Sequence, residues 1–188
     1  MPKHRLFPVA AALIIIVLAG VWYAKRGGQA PAVIDLVQKL PDALKQHDAG
    51  AGTDAFEVRD ERIGGRTLRA IYAHPTTRIT WRFTAPTDAW LKTYLGVDEQ
   101  AWNREGDGVL FMVGVRAMDG GAYQELLRQV VDPHARNRDR GWLPVMLDLS
   151  PYSGRAVEIY FNTRVSLKSN DARNDFAYWG APGIYLTR

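Results

Sequence analysis

The chain has 188 residues, no cysteine, 47% hydrophobic residues and a formal charge of +4. The absence of cysteine excludes disulfides, thiolate catalysis and Cys-ligated zinc or iron–sulfur sites. Four of the 24 Lys and Arg residues lie in residues 1–26, where there is no acid, so residues 27–188 carry 20 basic against 20 acidic side chains. This neutral body argues against nucleic acid as a partner.

The N-terminus contains one uncharged apolar run, residues 6–24, between Arg5 and Lys25. As a helix this run would span about 28 Å, close to the hydrocarbon thickness of a bilayer. We therefore predict that residues 1–26 are an uncleaved transmembrane signal anchor, with the N-terminus inside. The domain would lie outside the cytoplasmic membrane, in a periplasmic or extracellular position. The alternative is a signal peptide cleaved after residues 17–19, but the apolar run continues past that site.

Residues 27–53 are predicted to be a linker with one short amphipathic helix. Residues 27–32 have the composition of a flexible spacer. The helix would cover residues 33–44 and end or kink before Pro41. Its apolar face would comprise Val33, Leu36, Val37, Leu40 and Leu44. We expect this helix to pack on the domain, and a position along the membrane surface is the alternative.

From residue 54 onward the apolar residues recur with a period of two, which is typical of half-buried strands. Turn signals rich in Gly and Pro separate the apolar segments. The predicted strands are 54–59, 67–73, 77–84, 89–97, 108–116, 124–131, 142–149, 155–163 and 183–187. About nine short strands with no long helix among them predict an all-β fold, an antiparallel β-sandwich over residues 54–188.

The alternation also assigns faces to individual strands. In the eighth strand, residues 157, 159 and 161 are apolar and should face the core, whereas Glu158, Tyr160 and Asn162 should face outward. In the third strand, Arg78 and Arg82 should lie on the outward face.

Several C-terminal motifs resemble those of a known superfamily. They are W-x-P-V-x-L-D-L-S-P-Y-S-G at 142–154, N-D-F-A-Y-W-G-A-P-G-I at 174–184, GDGVLFMVGVR at 106–116 and VVDPHARNRDRGW at 130–142. Together they are similar to the galactose-binding-like jelly-roll superfamily, in particular to NPCBM-type modules of glycoside hydrolases and to bacterial envelope proteins. The resemblance implies a jelly roll of about eight or nine strands. It also implies sugar binding as a common activity, although some such modules carry a structural calcium ion and some have no known ligand.

The first candidate site is the loop and aromatic corner before the last strand. A sugar site needs an aromatic platform and convergent polar groups. The candidate ligand-binding residues are Arg138, Arg140, Asn170, Asn174, Asp175, Tyr178 and Trp179. In the alternative interpretation, Trp179 packs beneath the last strand and Asp175 ties the loop to backbone N–H groups. An exposed Trp179 would favour binding, and a buried one would favour a scaffold.

The second candidate site is the solvent-exposed face of the sheet that contains the third and eighth predicted strands. Its residues are Arg78, Arg82, Tyr160 and Asn162. The plainer interpretation, which we prefer, is cross-strand ion pairing with residues such as Glu158 on a solvated surface that has no ligand.

No metal site and no cofactor are predicted. The donors Asn170, Asp171, Asn174 and Asp175 suit a hard cation, but they lack EF-hand spacing, so structural calcium is kept as an alternative to a polar loop.

The sequence also favours a protein that is not an enzyme. The histidines show no ligand spacing, and no hydrolase or phosphate-binding signature occurs. Four acidic residues lie around Trp102, namely Asp98, Glu99, Glu105 and Asp107. We interpret them as solvated side chains, and the alternative is that two of them form a glycosidase pair.

Three functions are carried forward from these observations. The first is a membrane-anchored, non-catalytic module that binds an envelope or extracellular glycan. The second is a scaffold that docks on another envelope protein, for example in a polysaccharide-export system. The third is a glycan-active hydrolase, for which the sequence offers least support.

Overall fold

A computed structural model describes residues 32–48, 55–166, 168 and 171–186. These residues form eleven strands and three short 3₁₀ helices. The strands are β1 (Ile34–Asp35), β2 (Leu44–His47), β3 (Phe56–Ile63), β4 (Arg66–Ala73), β5 (Thr77–Thr84), β6 (Ala89–Val97), β7 (Val109–Ala117), β8 (Gln124–Val131), β9 (Leu143–Asp148), β10 (Ala156–Val165) and β11 (Ala177–Leu186). The 3₁₀ helices are Glu99–Ala101, Asn137–Asp139 and Ser150–Tyr152.

The predicted transmembrane anchor, residues 1–26, lies outside the described residues, as does the spacer up to residue 31. Across the part of the chain that is described, no helix has the length and apolar character needed to cross a membrane.

The strands form two antiparallel sheets. Sheet 1 has the order β3-β4-β11-β6-β9, with β1 also paired to β11, and sheet 2 has the order β2-β5-β10-β7-β8. Buried apolar side chains from both sheets form one hydrophobic cluster. The predicted antiparallel β-sandwich is therefore confirmed, with eleven described strands where about nine were expected.

Strand β10, in the centre of sheet 2, has two chemically different faces. Its apolar residues Val157, Ile159 and Phe161 belong to the cluster between the sheets. The residues between them are Glu158, Tyr160 and Asn162, which by the period of two lie on the outer face. The inward and outward sets predicted for this strand are confirmed.

The predicted helix over residues 33–44 is wrong. Strand β1 pairs with β11 and strand β2 pairs with β5, so the segment contributes one short strand to each sheet. The Asp35 Oδ1 atom accepts hydrogen bonds from the backbone N–H groups of Val37 at 2.9 Å and Gln38 at 3.1 Å. This side-chain cap closes a turn, and Pro41 has no N–H with which to continue a helix.

The apolar spacing that suggested a helix has another origin. Leu36, Val37 and Leu40 point from consecutive turns into the hydrophobic cluster. Turns and helices both bring residues three or four apart to one side, so the pattern alone does not separate them. The expectation that this segment packs on the domain is confirmed.

The last strand begins earlier than predicted. It was expected over residues 183–187 but runs over Ala177–Leu186, because the Gly-Ala-Pro-Gly segment is a bulge within a strand and not a corner. The pairing of β11 with β6 shifts register between Gly180 and Gly183. Ala181 in the bulge has a positive φ of 42°. The bulge inserts extra residues without ending the pairing.

Candidate functional site

Trp179 is a core residue. It is fully buried on β11, and its ring centroid lies 4.9 Å from that of Phe111 and 4.4 Å from that of Phe161. Its indole Nε1–H donates to Thr163 Oγ1 at 3.0 Å, so its polar group is also satisfied inside. Phe111, Phe161 and Thr163 belong to sheet 2, and Trp179 therefore joins the two sheets. The interpretation of Trp179 as a packing residue is confirmed, and its ring offers no face to a ligand.

Tyr178 lies on the opposite face of β11 and is also covered. Its ring centroid is 5.2 Å from that of Tyr72, and the Arg59 guanidinium lies 5.8 Å from it. Burial raises the pKa of the Tyr178 hydroxyl. The aromatic platform expected at residues 178–179 is thus not available at the surface. Trp179 is buried between the two sheets, and Tyr178 is buried on the opposite face of sheet 1.

The loop before β11 encloses a small polar cavity. Its volume is about 20 Å³, room for about one water, and its lining includes Asp132, His134, Asn174 and Asp175. Asp175 is 3% exposed, and its Oδ2 has no hydrogen-bond partner in the described structure. Burial, followed by the nearby carboxylates, raises the pKa of Asp175 to about 8. This carboxyl group is therefore held largely protonated near neutral pH.

Other side chains tie this loop to the body. Asp171 Oδ1 accepts from the Arg173 backbone N–H at 3.0 Å, and Asn174 Nδ2 donates to the Glu105 carbonyl at 3.0 Å. Asn170, one of the predicted ligand-binding residues, lies outside the described residues. Within the described residues no cluster of three or more His, Asp or Glu side chains is placed to hold a metal ion. Structural calcium in this loop stays an untested alternative.

Arg138 and Arg140 have different surroundings. The Arg138 side chain is largely exposed. Arg140 links two loops, since Nε donates to the Pro133 carbonyl at 2.9 Å and Nη2 donates to the Trp102 carbonyl at 3.0 Å. Ligand contacts of Arg138, Arg140, Asn174 and Asp175 stay predictions, whereas the structural role of Arg140 is evident.

The acids around Trp102 also have structural partners. Asp98 accepts from the Gln100 N–H at 2.8 Å, at the start of a 3₁₀ helix. Glu99 accepts from the Gly64 N–H at 2.8 Å, which fixes the turn between β3 and β4. Two members of the cluster are therefore explained by local structure.

A polar surface with several arginines covers the outer face of sheet 2. We call it the arginine–tyrosine surface. It is formed by Arg78, Arg82, Arg116, Tyr123, Glu158, Tyr160, Asn162 and Arg164. The sequence had singled out Arg78, Arg82, Tyr160 and Asn162, and the register brings these four together as expected.

Glu158 is the centre of this surface. It accepts from Arg82 Nε at 2.9 Å through Oε1 and from Arg116 Nε at 3.1 Å through Oε2. The Tyr160 hydroxyl also donates to Oε2. The Tyr160 hydrogen bond, with those of Arg116 and Arg82, outweighs burial and lowers the pKa of Glu158 to about 2. The predicted cross-strand ion pairing is confirmed.

The arginines that bind Glu158 remain open to solvent on their other side. Their side chains are 64% exposed at Arg82 and 50% exposed at Arg116, whereas that of Glu158 is only 5% exposed. Their outward guanidinium groups can therefore still donate to a ligand.

Tyr123 supplies an exposed aromatic ring beside Tyr160. A Cβ placed on Gly114 would lie 2.3 Å from the Tyr123 Cε2 and Oη atoms, so the ring rests directly against the glycine backbone. The centroids of the Tyr123 and Tyr160 rings are 5.7 Å apart in an edge-on arrangement, and the Arg78 guanidinium lies 5.6 Å from the Tyr160 ring. Tyr123 is 48% exposed, so this ring can contact a ligand.

Two open depressions lie on this surface. The first has a volume of about 370 Å³ and is lined by Gln46, His47, Asp48, Thr76, Thr77, Arg78, Asn162 and Arg164. The second has a volume of about 490 Å³ and is lined by Arg82, Arg116, Ala117, Met118, Gly120, Gly121 and Glu158. Both are large enough for a small polar ligand.

Three members of the surface were not identified from the sequence. Arg116 follows the inward residues of β7 at the outward position, so the alternation of that strand contained the necessary signal. Arg164 lies one residue beyond the predicted end of the eighth strand. Tyr123 lies in the loop before β8, and no local pattern indicates that it folds against Gly114.

Comparison with known proteins gives no match to a family model. An uncharacterised protein of Archaeoglobus fulgidus is 37% identical over 100 residues, which cover 53% of this chain and 24% of that protein. The chain thus spans about a quarter of the length of this relative.

Several solved structures, including the following two, are similar in fold. The M60 catalytic domain with the CBM51-1 and CBM51-2 domains of Clostridium perfringens ZmpB has a TM-score of 0.53 at 17% identity, covering 77% of this chain and 14% of that one. TmCBM61 in complex with β-1,4-galactotriose has a TM-score of 0.50 at 8% identity, covering 84% of this chain and 100% of that one. At these identities the likeness concerns the fold alone, and it agrees with the predicted β-sandwich.

Proposed function

We propose that this chain is a non-catalytic glycan-binding module, and that the arginine–tyrosine surface is its binding site. The observation that supports this proposal most directly is the half-exposed Tyr123 ring, which is fixed against Gly114 and next to the Tyr160 ring. Sugars combine an apolar ring face with hydroxyl groups, and they bind where an aromatic ring lies next to convergent polar side chains. The shared fold with TmCBM61, which was solved with β-1,4-galactotriose, supports this proposal.

The proposal includes anchorage of the module by residues 6–24 in the cytoplasmic membrane, with the domain outside. An uncharged run of this length, flanked by Arg5 and Lys25, supports it. In that position the surface would meet envelope or extracellular polysaccharides.

Binding of the 188-residue chain to a panel of polysaccharides tests the proposal. A detergent without a sugar headgroup avoids competition. We expect saturable binding to at least one polysaccharide, and Tyr123→Ala should weaken it at least about tenfold. Tyr94→Ala removes a partly exposed tyrosine from sheet 1 and serves as the matched control.

Two results would contradict the assignment of the site. One is a panel without any saturable binding. The other is a Tyr123→Ala variant that binds as the wild type does, while Tyr94→Ala loses binding.

A scaffold is the second candidate function, favoured by the buried Trp179 and by aromatic residues on the outer face of sheet 1. Trp90, Tyr94 and Tyr185 are only partly buried there, and Lys92 lies 5.0 Å from the Tyr185 ring. Aromatic side chains are enriched at protein interfaces. A photoreactive residue at position 94 should then crosslink to a second polypeptide in cells, and recovery of the monomer alone would contradict the scaffold.

A further inference from the structure

We infer that the arginine–tyrosine surface binds an acidic saccharide polymer, with one anionic group in each of its two depressions. This inference rests on the proposed function and adds the chemical class of the ligand. It follows from the charges, the pairing and the spacing of the side chains on this surface.

The charge balance of the two depressions is the same. The first contains Arg78 and Arg164 against the carboxylate of Asp48. The second contains Arg82 and Arg116 against the carboxylate of Glu158. Each depression therefore has two guanidinium groups for one carboxylate, although residues 27–188 as a whole are formally neutral.

The pairing leaves guanidinium groups available. In the first depression, Arg78 gives its Nε–H to Asn162 Oδ1 at 2.6 Å. Among the residues that the structure describes, neither Arg78 nor Arg164 forms an ion pair. In the second, one buried carboxylate accepts from two exposed arginines. A planar guanidinium pairs well with carboxylate, sulfate or phosphate oxygens. Binding of a neutral hydroxyl would not require the positive charge of the guanidinium.

The spacing favours a polymer over a single sugar. Arg78 and Arg82 are four residues apart on one face of β5, which is about 13 Å at ~3.3 Å per residue. Tyr160 and Tyr123 lie between the two arginine pairs, since Tyr160 is opposite Thr80 on the neighbouring strand. A chain of sugars can place one ring beside Tyr123 and acidic groups toward both sides.

Binding of the 188-residue chain to matched acidic and neutral polymers tests this inference. The probes are polygalacturonate, the same polymer after reduction of its carboxyl groups, dextran sulfate and dextran. We expect at least one acidic polymer to bind about tenfold or more tightly than its neutral counterpart, as charge-assisted hydrogen bonds predict. Comparison of polygalacturonate with dextran sulfate then distinguishes carboxylate from sulfate as the anionic group.

Arg78→Gln and Arg164→Gln should each weaken binding of the acidic polymer about tenfold. Arg69→Gln is the matched control, because Arg69 is exposed, lies on β4 of sheet 1 and has a long ion-pair contact of 3.8 Å with Asp60. Galacturonic acid monosaccharide should compete only at concentrations far above those of the polymer.

The outcomes separate this inference from the proposed function. Equal binding of acidic and neutral polymers overturns the acidic ligand but leaves glycan binding standing. Binding of none of the probes, together with no hit in the wider panel, overturns both. If Arg69→Gln and Arg78→Gln lose equal affinity for the acidic polymer, the net charge of the protein alone attracts the polymer. That result overturns the assignment of the site. Full competition by the monosaccharide at concentrations comparable to those of the polymer overturns the two-depression arrangement.

Discussion

Glu158 organises the outer face of sheet 2 because three donors converge on one nearly buried carboxylate. Without it, Arg82 and Arg116 would face each other across β10 with no anion between them. Its role in binding is therefore indirect, since it fixes the positions of the two guanidinium groups that a ligand would meet.

Glu158→Gln should lower the free energy of unfolding by about 1–3 kcal/mol at pH 7, since charge-assisted hydrogen bonds to a buried group are lost. The folded pKa of about 2 lies below the usual glutamate pKa of 4.5, so the contribution of this carboxylate is present above pH 4.5. It is lost as the pH falls through the folded pKa. Urea unfolding of both proteins between pH 7 and pH 2 measures this, and a difference that stays constant over the range would contradict it.

Asp175 has the opposite character, because it is buried near other carboxylates. Its pKa is raised from 3.8 to about 8, so the folded state holds more protons than the unfolded state between these values. Stability should therefore fall as the pH rises from about 4 to about 8.

Asp175→Asn should remove that pH dependence, because the amide has a similar shape and no charge to desolvate. We expect the variant to be about 1–3 kcal/mol more stable than the wild type at pH 8 and similar to it at pH 4. Chemical unfolding in the presence of a chelator gives the measurement. A variant less stable than the wild type at pH 8, with a wild type that loses stability only when chelator is added, would instead favour the calcium alternative.

At the scale of elements, the pairing of β7 with β8 determines where Tyr123 lies. Gly114 faces outward on β7, and the absence of its side chain makes room for the ring. The register of the two strands also shifts at this glycine, which brings the loop before β8 back over the sheet.

Gly114→Ala should displace the Tyr123 ring and weaken glycan binding as much as Tyr123→Ala does. The stability cost should stay below about 1 kcal/mol, because the clashing atoms belong to an exposed side chain that can rotate away. Titration calorimetry with a bound polysaccharide measures the affinity, and thermal unfolding measures the stability.

Gly106→Ala is the control for this substitution, since a Cβ there would have its nearest neighbour, the Arg173 carbonyl oxygen, at 3.8 Å. The double variant Gly114→Ala/Tyr123→Ala should bind like Tyr123→Ala alone, because both changes remove one contact. Wild-type affinity in Gly114→Ala would mean that Tyr123 does not contact the ligand.

The period of two predicts the strands well wherever both faces are chemically distinct. Strands β5, β6 and β8 begin and end at the predicted residues. The prediction failed at residues 33–44, where hydrogen-bonded turns around Asp35 imitate helical spacing, and at the bulge after Gly180. Both failures have the same cause, since the tertiary pairing that decides the conformation is not encoded in local periodicity.

In the candidate site, too, local periodicity predicts some side-chain positions and tertiary packing decides others. Arg78 and Tyr160 could be placed on one face because alternation along each strand assigns them there. Trp179 was equally conspicuous in the sequence, but whether a tryptophan lies above or beneath a sheet depends on the opposite sheet, here on Phe111 and Phe161.

For the whole molecule, composition hides the segregation of charge that the fold produces. The body is formally neutral, yet the outer face of sheet 2 gathers arginines around few acids while buried carboxylates such as Asp132 and Asp175 collect at the loop end. A folded surface can therefore attract anions although the sequence count gives no such indication.

One prediction concerns the whole chain: residues 6–24 anchor it in the cytoplasmic membrane, and the domain lies outside that membrane. The run of residues 6–24 should retain the protein in membranes washed with alkaline carbonate. An epitope tag after Arg188 should be removed by protease added to intact spheroplasts, because a chain with one N-terminal anchor is expected to export the domain that follows. Deletion of residues 6–24 should leave the tag in the cytoplasm, where the protease does not reach it.

The mass of the purified chain distinguishes the two N-terminal interpretations. An intact N-terminus together with carbonate-resistant membrane association agrees with the uncleaved anchor. A chain that begins at residue 20 and washes off the membrane would mean a cleaved signal peptide, and a tag that stays protected in intact spheroplasts would mean that the orientation is wrong. In the last case the arginine–tyrosine surface would face the cytoplasm, and an envelope polysaccharide would be excluded as its ligand even if acidic glycans bind in vitro.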